Sequence, residues 1–148
     1  MDLIHHALPH APAGLPRVAL TVDRLTAAKT RWRGIAADGR EFGFDLHHPL
    51  APGDVFFASD TAAYVLAQQP EPVLELDLPA NPAAAAQLGW SIGNLHLPAQ
   101  VEGAVLRLAD DPGVRRALER LHVEPRAAVA VFTPPRVAGH AHGHAHAH

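Results

Sequence analysis

The spacing of apolar residues along this chain changes once, near Pro79. Ahead of that point apolar residues recur at every second position. Val18, Leu20 and Val22 alternate with polar or small partners from Arg17 onward, which gives one apolar face and predicts a strand. Trp32 to Ala36 and Glu41 to Leu46 flank Asp38-Gly39, a dipeptide that supplies the positive φ angles of a tight hairpin turn. Pro52-Gly53-Asp54 marks the next turn, before Val55-Phe56-Phe57, and Tyr64 to Ala67 and Val73 to Leu78 read as further strands. Residues 17–70 are therefore expected to form a small all-β domain, suited to binding a peptide or protein partner.

Beyond Pro79 the pattern becomes helical. Asn81 can cap a helix with Pro82 at its first position, and the run Ala83 to Ala86 favours helix strongly. This helix should reach about His96 and stop before Pro98. Gln100 to Leu108 is strand-like and long enough for two strands. Asp110 or Asp111 then caps a second helix, with Val114, Leu118 and Leu121 on one face, and Ala127 to Phe132 forms a last strand. The order βαββαβ suits a split βαβ, ferredoxin-like domain over residues 71–135, so the fold class expected is α+β. Residues 1–16, with His5, His6 and His10 among Pro9, Pro12 and Pro16, read as a loose N-terminal arm. Residues 136–148 read as a tail in which nothing buries area, expected to be disordered without a ligand.

Composition narrows the function. At 148 residues with 48% hydrophobic positions, the chain can build a core as one ordinary domain or two small ones. A formal charge of −3, with signs scattered, argues against a nucleic-acid partner. The absence of cysteine excludes disulfides and thiolate metal sites, leaving imidazole, carboxylate or backbone as ligands. No apolar run approaches the roughly 18 residues that span a bilayer, and no secretory leader pattern is present, so a cytoplasmic protein without a membrane partner is expected. Histidine is the outlier, with twelve copies against one Tyr, two Trp and five Phe. Protonating all twelve moves the formal charge from −3 to about +9.

Five of these histidines, His140, His142, His144, His146 and His148, alternate with Ala or Gly at the C-terminus. An exposed imidazole is mostly neutral near pH 7 and offers a lone pair. Small intervening residues let two rings converge, and residues i and i+2 of an extended chain lie on one side. Such sulfur-free, imidazole-rich ligation suits Ni(II), Cu(II) and Zn(II) and disfavours Mg(II) and Ca(II). An affinity tag is the plain alternative, but tags are usually contiguous, whereas this tail alternates and grades into Pro134-Pro135. Composition does not name the metal.

Gly89-Trp90-Ser91-Ile92-Gly93-Asn94-Leu95-His96-Leu97-Pro98-Ala99-Gln100 resembles the central signature of the UreE-type urease accessory proteins, in which an aromatic residue, a Gly-Asn pair, a histidine and a proline follow one another at a helix end. The hairpin Asp38-Gly39-Arg40-Glu41, the turn Gly53-Asp54-Val55, and Phe132-Thr133-Pro134 ahead of a His-rich end are also similar to that family. The resemblance covers roughly residues 17–148. It implies a Ni(II) carrier that is a homodimer through its C-terminal domain. It further implies delivery to urease apoprotein together with the other accessory proteins, including the partner GTPase. His96 takes the place of the family's bridging ligand, so two copies would face each other across a twofold axis, with tail histidines completing the coordination. Zn(II) and Cu(II) are the expected competing ions.

This chain departs from the pattern at Leu108-Ala109-Asp110-Asp111-Pro112, where many members carry a further histidine or two. Asp110 and Asp111 are thus weaker metal candidates, and helix capping is the favoured role for them. His47 and His48, between a strand and Pro49, are a possible surface metal pair set against a plain solvated loop. His5, His6 and His10 stand in the same position, with opportunistic binding only. His122 is expected to be structural, Trp90 and Ile92 to pack, and Asn94 to satisfy backbone groups. No catalytic residue is expected: cysteine nucleophile, Gly-x-Ser-x-Gly elbow, P-loop and His-Glu-x-x-His helix are all missing. Three functions compete: nickel delivery for urease maturation, a nickel or zinc store resting on the tail alone, and a protein-interaction module. A store needs no histidine at a helix end, which favours delivery.

Overall fold

A computed structural model describes residues 1–135. The chain divides into two compact units, Met1–Glu71 with Val129–Val131, and Pro72–Ala128 with the residues from Phe132 onward. The expected tail, residues 136–148, lies outside the described residues. Among the described residues no helix is long and apolar enough to cross a membrane.

The first unit is built from two three-stranded sheets. One contains β1 (Asp2–Ile4), β3 (Arg31–Ile35) and β4 (Glu41–Asp45), in the order β1-β4-β3. The other contains β2 (Arg17–Val22), β5 (Val55–Ala58) and β6 (Ala63–Gln68), in the order β2-β6-β5. The alternation read from the sequence sets which face is buried: Leu20 is fully enclosed and Val18 and Val22 pack against the same core. That core is largely aromatic. Trp32 stacks on Phe44 with centroids 3.8 Å apart, while Phe56 meets Phe42 and Phe44 edge-on at 5.1 and 5.2 Å. A short helix, α1 (Arg24–Ala27), was not expected; Asp23 caps it, its carboxylate accepting from the Thr26 N–H at 2.9 Å.

Two local readings are corrected here. Residues 1–16 are not wholly a loose arm, because β1 pairs in parallel with β4 and Ile4 is buried. A strand of three residues carries no alternation to read. The Asp38-Gly39 turn has only one positive φ, at Gly39 (+89°). Gly39 N–H donates to Ala36 O and Ala36 N–H to Arg40 O, both at 2.9 Å, which is a three-residue loop closed by glycine rather than a two-residue turn. The Asp38 carboxylate accepts from the Tyr64 hydroxyl at 2.7 Å, which, with the Arg40 N–H, holds its pKa below the usual value.

The second unit runs β7 (Glu71–Asp77), α2 (Pro82–Gly93), β8 (Ala99–Glu102), β9 (Val105–Ala109), α3 (Pro112–Arg120) and β10 (Arg126–Ala130), with strand order β10-β7-β9-β8. That order, with β9 antiparallel to both neighbours β7 and β8, is the split βαβ arrangement expected. The period-two pattern divides the sheet's faces. Leu74 pairs with Leu108 and Leu76 with Leu106, and these four join Ile92 of α2 and Val114 and Leu118 of α3 in one core. On the alternate positions Glu75 pairs with Arg107, whose guanidinium donates to its carboxylate at 3.0 and 3.2 Å, and Arg126 adds a bond at 3.0 Å. The β8–β9 turn is made by Gly103, at φ +58°, and Ala104.

Candidate metal centre

The helix that leads to His96 starts as its sequence dictates. Asn81 accepts from the N–H groups of Ala83 and Ala84 at 2.9 and 3.2 Å, and Pro82 occupies the first turn, where no N–H is needed. Only a narrow stripe of α2, Ala85, Leu88 and Ile92, turns inward. Trp90 falls off that stripe and is 65% exposed, so the expectation that it packs within the domain is corrected, whereas Ile92 is buried as expected.

The helix ends at Gly93, three residues short of the expected limit. Asn94 caps it through its backbone, donating to Trp90 O at 3.0 Å. Leu95 N–H then bonds Ile92 O at 3.0 Å and His96 N–H bonds Gly93 O at 3.1 Å. At His96 the backbone enters the left-handed region, φ +54°. The two flanking residues, Leu95 and Leu97, pack against the core, which leaves the His96 side chain exposed between two anchored leucines. The imidazole is thus presented outward by a turn flanked by two packed leucines, a suitable mount for a ligand that must meet an incoming ion.

One imidazole is an incomplete site, and among the described residues no group of three or more His, Asp or Glu side chains stands ready to hold an ion. The two aspartates considered as weaker ligands are both engaged. Asp111 caps α3, its carboxylate accepting from Val114 N–H at 3.0 Å. Asp110 holds Arg115 through two bonds of 2.7 Å, and this pairing keeps its pKa below the usual carboxylate value. His140, His142, His144, His146 and His148 lie outside the described residues. Among the described residues ahead of it, Phe132 is fully buried, and Thr133 N–H donates to Gln100 Oε1 at 2.9 Å, four residues beyond His96.

His122 sits in a second left-handed position, φ +55°, just past α3. His122 N–H bonds Glu119 O and Val123 N–H bonds Leu118 O, at 3.0 and 3.1 Å, the reciprocal pair that closes a Schellman end. Its role is therefore in the backbone. His47 and His48 are both exposed, and His47 has the ring of His5 beside it, at 6.5 Å between centroids. That proximity was hidden in the sequence because it depends on β1.

Comparison with known proteins identifies the family. Residues 71–148 match the family model for the UreE urease accessory protein, C-terminal domain. The urease accessory protein UreE of Pseudomonas fluorescens (strain SBW25) is 30% identical over 148 residues, covering 96% of this chain and 87% of its own. That of Geobacillus kaustophilus (strain HTA426) is 33% identical over 141 residues, covering 91% of each chain. That of Beijerinckia indica is 31% identical over 127 residues, covering 84% of this chain and 71% of its own. The signature around His96, the βαββαβ unit that carries it and these matches over nearly the whole length point the same way: this chain belongs to the UreE family of urease accessory proteins.

Proposed function

We propose that this chain carries Ni(II) as cargo and delivers it to apo-urease during urease maturation, as a homodimer formed through its C-terminal unit. The observation that carries the reading is His96, set outward in a left-handed turn between two anchored leucines within the region that matches the family model. A twofold axis beside this turn would bring two copies of the imidazole onto one ion without further sequence requirements. The exposed Trp90, on the last turns of the same helix, supplies apolar area for such a contact.

The His-rich tail fits as a second ligand source. From Thr133 to His140 is seven residues, a reach of up to about 25 Å when extended. Thr133 is tied to Gln100, so tail imidazoles starting there can reach His96. They would complete the coordination of an ion held by two imidazoles, and release it by letting go. Docking to urease apoprotein and the other accessory proteins, including the partner GTPase, in the cytoplasm belongs to the same reading.

Nickel calorimetry on three proteins tests it: the intact chain, a chain ending at Arg136, and that truncation carrying His96→Ala. The expected result is one tight ion per dimer retained by the truncation and abolished by His96→Ala. If all binding disappears with the tail, the His96 site is wrong and a tail-based metal store is the better account.

A further inference from the structure

The first unit carries a juxtaposition of metal-ligating groups that the His96 reading does not use. β1 runs parallel to β4 with Ile4 beside Phe44, and the pairing continues one residue further, where His47 N–H reaches His5 O at 3.3 Å. Residues 42 positions apart are thereby held side by side, with their imidazole centroids 6.5 Å apart and the rings inclined by 32°. Both rings are exposed and line an open depression with Thr30, Arg31, Asp45 and Leu46.

The tautomer of His5 is decided by its partner. His5 Nδ1 lies 2.9 Å from the carbonyl oxygen of Asp45, and a carbonyl only accepts, so Nδ1 carries the proton. In the neutral ring the lone pair is then on Nε2. A backbone carbonyl that holds one ring nitrogen and presents the other is the usual outer support of a metal-ligating histidine. The His47 ring has no such restraint. Two imidazoles bound to one ion at about 2.0–2.1 Å place their centroids about 5 Å apart in tetrahedral geometry. The observed separation of 6.5 Å is close to that distance. The Asp45 carboxylate is engaged with Arg31 at 2.7 Å, so the two rings alone carry the juxtaposition.

We propose that His5 and His47 form a two-imidazole site for a late first-row divalent cation on the first unit. Imidazole donors without sulfur select Ni(II), Cu(II) or Zn(II) over Mg(II) and Ca(II). His48, next in sequence, takes no part. The site shares no residue with His96 or the tail, so it stands or falls separately from the delivery reading.

The test is Zn(II) titration of the full-length chain followed by imidazole 15N NMR, since d10 zinc leaves the spectrum sharp and tail binding does not mask assigned rings. The expected result is that the Nε2 resonances of His5 and His47 move together while Nδ1 of His5 stays protonated. His5→Gln should weaken the zinc response of His47 by roughly tenfold or more, and His47→Gln should do the same to His5. Amide spectra report whether each variant keeps the fold. A His47 response that is unchanged in His5→Gln, or rings that stay still when zinc saturates the chain, overturns the site.

Discussion

At His96 the backbone carries a cost that glycine would not. An L-residue in the left-handed region is strained by roughly 1–2 kcal/mol, with histidine among the residues found there more often than most. His96 (φ +54°) and His122 (φ +55°) both sit there, each just past a helix. On the proposed reading only the His96 side chain is a ligand, and glycine substitution separates the two. His122→Gly should raise stability by about 1 kcal/mol without altering metal binding, since the Schellman bonds involve only backbone atoms. His96→Gly should give a similar gain in a urea titration while eliminating the tail-independent nickel site. A His96→Gly protein that keeps its nickel would mean the residue is there for the turn alone.

At the scale of elements, the caps decide what the acidic pair after β9 does. Asp111 binds Val114 N–H, so Asp111→Ala should lower stability by about 1 kcal/mol, Asp111→Ser should restore most of it, and nickel stoichiometry should stay constant in both. Loss of a bound ion from a folded Asp111→Ala protein would make the carboxylate a ligand instead. Caps of this kind are also why so much of the architecture was legible. Asn81-Pro82 and Asp111-Pro112 announce both long helices within two residues, and the alternation of Val18, Leu20 and Val22 gives a strand's inward face. What was not legible depends on partners far along the chain. Asp2–Ile4 is a strand only because β4 accepts it, and the His5–His47 pair follows from that. Trp90 was expected to pack in the helix interface, but the inward stripe of α2 runs through Leu88 and Ile92 and leaves it exposed in this chain. His96 was singled out by the signature around it, while its left-handed backbone had no local signal: glycine, the usual residue there, is absent.

Across the whole molecule, acid should act on several carboxylates at once. Asp38 is held by Tyr64, Asp45 by Arg31, Glu75 by Arg107 and Arg126, and Asp110 by Arg115, and each has its pKa lowered by that partner. A lowered pKa means the folded state favours the charged form. The stabilisation is therefore complete above the unfolded carboxylate pKa of about 4 and is lost as pH falls through the lower folded values. A steep decline below about pH 4 is expected in a series of thermal melts. Glu75 is the carboxylate with two arginine partners, so Glu75→Gln should lower stability at pH 7 and flatten that decline. If the melting temperature of Glu75→Gln instead tracks that of the parent at a constant offset down to pH 3, the ion pairs on this face of the sheet contribute nothing to acid sensitivity.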